Sequence, residues 1–148
     1  MQIQQVNRND AEKVYILVKN VDGTGTITTG LAVNLVPAGA SIDGISAIQS
    51  TAATWKGFVG IAVQDIAVNA YGLVQSYGYC ASVNISAVGS SITVTAGDTL
   101  KPGGVAGTLF SSLTDQAIST LLYRYAYVAA SQTISANPSY TAAIIRAL

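Results

Sequence analysis

The chain has 148 residues, half of them hydrophobic and only 9% charged, with seven basic and seven acidic side chains cancelling to zero. That is the length of one domain with a single hydrophobic core, and a high hydrophobic content with no net charge excludes an intrinsically disordered chain. It also speaks against a nucleic-acid partner, because Arg8, Lys13, Lys19, Lys56, Lys101, Arg124 and Arg146 are scattered rather than clustered for phosphate.

Residues 1–12 are polar apart from Ile3 and Val6. They read as an N-terminal arm, either laid on another surface or frayed. No signal-peptide stretch and no run long enough to span a membrane is present, so synthesis in a cytoplasm and no membrane partner are expected. Residues 13–148 read as one β-rich domain.

Val14 to Val18 is short, apolar and β-branched, which predicts a strand buried on both faces. Asn20 to Gly25 supplies turn chemistry around Asp22-Gly23. Leu31, Val33 and Leu35 fall on one face of a second strand, which Pro37-Ala38-Gly39 ends. Residues 42–48 are weakly patterned, and Trp55 sits on a predicted loop, as a lid on the core or as a contact anchor.

Phe58 to Val63 predicts a strand, and Asp65 to Ala70 a turn. Tyr71, Leu73, Gln75, Tyr77 and Tyr79 then alternate with Gly72, Val74, Ser76, Gly78 and Cys80. The small residues mark close approach of a neighbour, and a bulge or bend is expected before the apolar run Ala81 to Ile85. Ile92 to Thr95 alternates, and Ala96 to Gly104 is a turn region. Leu113, Ala117, Ile118 and Leu121 have helical spacing, which allows one short helix near residues 113–121. Residues 121–130 alternate with Tyr123, Tyr125 and Tyr127 on one side, and Tyr140 to Leu148 closes the series with Ala143, Ile145 and Ala147 on one side. About eight to ten strands punctuated by Gly, Pro, Asn and Ser predict an all-β, single-domain barrel, β-tulip-like, or a sandwich.

Little in this chain can carry catalysis. There is no His, so Ser–His and Cys–His nucleophiles and the usual zinc sites are ruled out. Cys80 is the single cysteine and reads as a small buried hydrophobe. The acids fall mostly in predicted turns, where a carboxylate caps its own backbone. Asp65 with Asp98 is the one carboxylate pair to weigh for hydrolytic work, against two separate turn caps. Gly23-Thr24-Gly25 lacks the rest of a phosphate loop, and Asn84-Ile85-Ser86 is a sequon that matters only on secretion. No catalytic residue, cofactor or metal is expected.

So sparsely charged a surface suits permanent neighbours better than solitude, as in the cores of obligate interfaces. The tyrosines fit that view. Tyr123, Tyr125 and Tyr127 on one strand face, and Tyr71, Tyr77 and Tyr79 on another, read as a subunit interface, with a sugar-stacking platform and a half-buried sheet face as the other readings.

Three stretches carry a resemblance. Gly57-Phe58-Val59-Gly60-Ile61-Ala62-Val63-Gln64-Asp65-Ile66 runs into Tyr71-Gly72-Leu73-Val74-Gln75-Ser76-Tyr77-Gly78, Ala96-Gly97-Asp98-Thr99-Leu100 follows, and the chain ends on Ala143-Ile144-Ile145-Arg146-Ala147-Leu148. In this order they resemble the head decoration, or cement, proteins of tailed bacteriophages, over roughly residues 14–148. The resemblance implies a β-tulip or related barrel that forms homotrimers on the outer capsid surface of the virion and ties major capsid protein subunits together. Ile3 and Val6 are the expected anchors of an arm ordering against the capsid. A carbohydrate-binding β-domain, or another tail or fibre component, is the alternative.

Overall fold

The computed structural model describes residues 12–36, 44–51, 57–86, 91–102, 107–111, 126–134 and 139–147. Among them are eleven strands and no α-helix: β1 (Val14–Asn20), β2 (Ala32–Leu35), β3 (Ser46–Gln49), β4 (Phe58–Ala62), β5 (Tyr71–Ile85), β6 (Ile92–Val94), β7 (Thr99–Pro102), β8 (Leu109–Ser111), β9 (Ala126–Val128), β10 (Gln132–Ile134) and β11 (Ser139–Arg146). The all-β expectation holds, and the architecture is a barrel. The helix expected near 113–121, Trp55, and the arm with Ile3 and Val6 lie outside the described residues.

Two rings share one strand. β1, β3, β2, β4 and β5 pair in that order, and β1 pairs back to β5, closing a five-stranded barrel. β5 then continues into β11, β9, β7 and β8, and β8 returns to β5 through Ile85 and Leu109. The 15 residues of β5 are what allow this, since each half serves a different ring. A separate pair, β6 with β10, places Val94 and Ile134 in the second ring's core.

Each ring has its own core. The first holds Val18, Ile27, Leu31, Val33, Ala47, Ala62, Ile66 and Val74. The second holds Val83, Ile85, Leu100, Ala126, Val128, Ala143 and Ile145, with Ala32, Phe58 and Ile61 contributed by strands of the first ring. β2 and β4 are therefore a wall between two cores. Leu31 and Val33 face one and Ala32 the other. On β4, Phe58 and Ile61 face the same core despite their odd spacing, because a bulge at Val59–Gly60 adds a residue opposite β2. Gly60 is required there: its φ is 145°, and a Cβ would run into the Gln75 carbonyl.

This arrangement corrects two expectations about faces. β1 is expected to be buried on both sides, yet Tyr15 and Leu17 are exposed, and of its residues only Val18 and Asn20 are fully buried. β1 lies on the outside of the first barrel, with one face to the core and one to solvent. The strand with apolar cover on both faces is β2, because the second ring packs on its back.

The second correction concerns β5. Directly opposed residues in a ladder project to the same side. Ala62 and Val74 are opposed and fill the first core, so Ile61 and Gln75, also opposed, face the second. Farther on, Ala143 opposes Cys80 and Ile145 opposes Gly78, and these too face the second core. Gln75 and Gly78 are three residues apart yet share a side. The register between β1 and β5 slips by one in this stretch, from Tyr15 opposite Gln75 to Val14 opposite Tyr77, and supplies the extra residue. Tyr71 and Leu73 thus lie on one face of β5, and Tyr77 and Tyr79 on the other. Strict period two, which would align all of them, is broken at Ser76. Gly78 completes the irregularity with φ 97°, and a Cβ on it would strike the Glu12 carbonyl.

A bulge is also present at the start of the run Ala81 to Ile85, where one is expected. Thr141 opposes Val83 and Ala143 opposes Cys80, so β5 has one residue more than β11 there, and Ala81 and Ser82 are exposed in succession.

Candidate interaction surfaces

β1 sends Tyr15, Leu17 and Lys19 outward, directly across from Gln75, Leu73 and Tyr71 of β5. Leu17 and Tyr71 are each 55% exposed, and Tyr15 and Leu73 are exposed beside them. These four side chains form a first apolar patch on the outside of the first barrel. Lys19 at its edge is the one charged residue among these outward positions of β1 and β5.

A second patch lies on the outside of the second barrel. Tyr79 opposes Ile144, and Ile144 opposes Tyr127 of β9, so three strands contribute one row. Tyr77 extends it beside Arg146. Tyr77, Tyr79 and Ile144 are exposed and Tyr127 is half-buried. The Arg146 guanidinium lies 6.0 Å from the centre of the Tyr127 ring, a cation–π contact that lays its charge along the patch. Because the face of β5 switches at Ser76, the two patches lie on opposite faces of that strand.

Gln75 marks the boundary. It is only 2% exposed, and its Nε2 donates to the carbonyls of Tyr77 and Tyr79 at 3.1 and 3.0 Å. The amide thus staples β5 across its own bulge and is spent internally.

Of the tyrosines expected at an interface, Tyr71 lies in the first patch, Tyr77, Tyr79 and Tyr127 lie in the second, so the expected single face of Tyr71, Tyr77 and Tyr79 is split, and Tyr123 and Tyr125 lie outside the described residues. Sequence reasoning did not find Tyr15, Leu17, Leu73 or Ile144 as surface positions. The signal was present in Tyr15-x-Leu17-x-Lys19, an alternation ending in a lysine that marks the wet side of a strand.

The acids sit in turns. The Asp65 carboxylate accepts from the Thr29 N–H at 2.7 Å and the Thr29 hydroxyl at 2.9 Å, and these bonds hold its pKa below the ordinary value. Asp98 accepts from the Thr95 N–H at 2.8 Å. Asp98 caps its own turn, as the turn-cap reading has it, whereas Asp65 ties the turn after β4 to Thr29 in the connection between β1 and β2. Among the described residues no three of Cys, Asp and Glu gather to hold a metal ion. Cys80 is buried in the second core, and burial pushes its thiol pKa up, away from the reactive thiolate. Asn84 of the sequon is buried within β5.

No family model matches the chain, and no curated protein matches it in sequence.

Proposed function

We propose that this chain is a non-catalytic structural protein that self-associates and binds the outer surface of a phage head as a decoration protein, the trimer implied by the resemblance being its working form. The observation that carries the reading is the pair of exposed apolar patches on a nearly uncharged double barrel. Single exposed hydrophobic residues need no explanation, but contiguous rows of Tyr, Leu and Ile mark surfaces meant to be covered. Rigid closed rings suit a part that bears load, and many copies of a small clamp bind well through linked contacts even when each contact is weak.

The patches favour protein over sugar as the occupant. A sugar site needs amides or carboxylates beside its aromatic platform to fix hydroxyl groups. Here the central amide, Gln75, is committed to Tyr77 and Tyr79, and no acid stands among the outward residues of either patch.

The test is co-sedimentation of the purified protein with heads of the encoding phage that lack it. The protein should pellet with the shells and saturate at a fixed copy number. Protein that stays in the supernatant at tens of micromolar rules the decoration role out. Deleting residues 1–12 should weaken pelleting and leave the fold intact, in keeping with Ile3 and Val6 as capsid anchors.

A further inference from the structure

We propose that β1 takes an extended segment of a different protein along its open edge, the added strand carrying apolar side chains at its centre and carboxylates at its ends. The proposal goes beyond the decoration role, because it holds whether or not the partner is a shell subunit.

The backbone of β1 makes the case. In an antiparallel ladder, alternate residues turn their N–H and C=O groups toward the partner strand, and the residues between turn them away. The Asn20 N–H donates to the Ala70 carbonyl at 2.9 Å, so Val18 and Ile16, in phase with Asn20, bond β5 as well. The odd-numbered residues point the other way, and the Lys19 N–H donates to the Ile45 carbonyl beside β3 at 2.7 Å. β3 goes no further along β1. It pairs with Lys19 and Asn20 alone, and Gly44, two residues before β3, bends the chain with φ 71°. Tyr15 and Leu17 therefore turn their N–H and C=O groups away from β5, and among the described residues no strand lies across from them on that side.

Open edges are ordinarily guarded by proline, by charge or by a bulge. From Val14 to Val18, β1 has neither proline nor charge. Tyr15 and Leu17 are exposed on its outer side, and Ile16 is half-buried against the first core on the other. A strand laid on this edge meets the backbone groups with its own. Its side chains, opposed to those of β1, extend the outer row beside Tyr15 and Leu17 and flank Ile16 on the inner side. Main-chain hydrogen bonds carry the affinity in this mode of recognition, so it does not depend on a large apolar area.

Charge selects the partner. Lys13 and Lys19 stand at the two ends of the open edge, and Glu12, the acid next to Lys13 in the chain, is already engaged. A second copy pairing antiparallel through Tyr15 and Leu17 would bring its Lys13 opposite or diagonal to Lys19, and like charges across a ladder are destabilising. A different chain with Glu or Asp at those places meets both lysines.

The experiment follows the backbone amides of the full, nitrogen-labelled chain by nuclear magnetic resonance. In the free protein, the Tyr15 and Leu17 amides should exchange with solvent at least about 100-fold faster than those of Ile16 and Val18. The probe is the peptide Glu-Thr-Val-Thr-Val-Glu, acetylated and amidated at its ends. It should slow exchange at Tyr15 and Leu17 and move their signals more than any others. Replacing both of its Glu residues by Lys should weaken binding at least about fivefold, and Lys19→Glu in the protein should reverse that preference. N-methylation of its central residues, which removes backbone donors and keeps the side chains, should abolish binding at about 1 mM peptide.

Tyr15 and Leu17 amides that are already protected in the free protein overturn the proposal, because the edge is then filled by this chain or by another copy. So does an N-methylated peptide that binds equally well, since apolar contact alone then holds it. Equal binding of the Lys peptide, or no binding of the Glu peptide, overturns it too. None of these measurements contains a shell, so failure to pellet with phage heads bears on the decoration role alone.

Discussion

Gln75 stands directly across the β4–β5 ladder from Ile61, and both side chains face the second core rather than the barrel that their own strands help to close. That relationship makes β5 a hinge between two rings, with the Gln75 amide holding the bend through the Tyr77 and Tyr79 carbonyls. Gln75→Met keeps the volume and removes both bonds. It should lower stability by about 1–2 kcal/mol, the cost of leaving partly buried carbonyls without a donor. Urea denaturation measures this directly. A midpoint equal to that of wild type would show that solvent serves those carbonyls equally well.

The small residues on the inner side of β5 give a second prediction. A Cβ on Gly72 would sit 2.5 Å from Cγ1 and 2.7 Å from Cδ1 of Ile66, which is fully buried and bridged to Ile27. Gly72→Ala should cost about 1–3 kcal/mol through overpacking. In an Ile66→Ala background the same substitution should cost little, because the obstructing atoms are gone. A double-mutant cycle by chemical denaturation reads the coupling, and strictly additive losses would contradict the contact.

Much of the fold was legible because period two is a local property. The alternation within Tyr71 to Gln75 and again within Tyr77 to Cys80, the bulge at the start of Ala81–Ile85, and the inward run of Ala143 and Ile145 could be read from spacing alone. What spacing could not show was which side of a strand a second ring would cover. Val14 to Val18 and, but for Asn34, Leu31 to Leu35 are both apolar, and only the long-range pairing of β5 with β11 decides that the second is the wall. The bulge at Ser76 was hidden for a related reason. It is fixed by the β1 register together with Gly78 and the Gln75 amide, and a glycine in an alternating strand does not by itself say where the face switches. The surface patches inherit that limit, since Leu17 and Val18 look alike until one of them is seen to face solvent.

Cys80 gives a chemical probe of the second core. It is 7% exposed, and burial raises its thiol pKa, so the native protein should react with an aromatic disulfide reagent at least about 1,000-fold more slowly than the urea-unfolded chain. Its labelling rate should rise with denaturant in step with the loss of circular dichroism. Fast labelling at zero denaturant would mean that the second ring opens independently of the first.

Asp22 ties the acid stability of the fold to one turn. Its carboxylate accepts from the Thr24 hydroxyl at 2.6 Å, the Thr24 N–H at 2.9 Å and the Gln49 N–H at 3.0 Å, joining the exit of β1 to the end of β3. Asn20 braces the same turn, accepting from the Asp22 N–H and donating to the carbonyls of Gly25 and Ile66. Burial pushes the Asp22 pKa up, but the three hydrogen bonds outweigh it and the net shift is downward. A folded-state pKa below the unfolded value of about 3.9 means that folding favours the ionised form. The contribution is present in full above that value and is lost as pH falls through it toward the folded-state pKa. Asp22→Asn should therefore reduce stability at pH 7 by about 1–2 kcal/mol, and the gap from wild type should narrow as pH is lowered from about 5 to below 3. Urea midpoints at a series of pH values check both parts. A gap that stays constant with pH would show that the geometry of Asp22 matters and its charge does not.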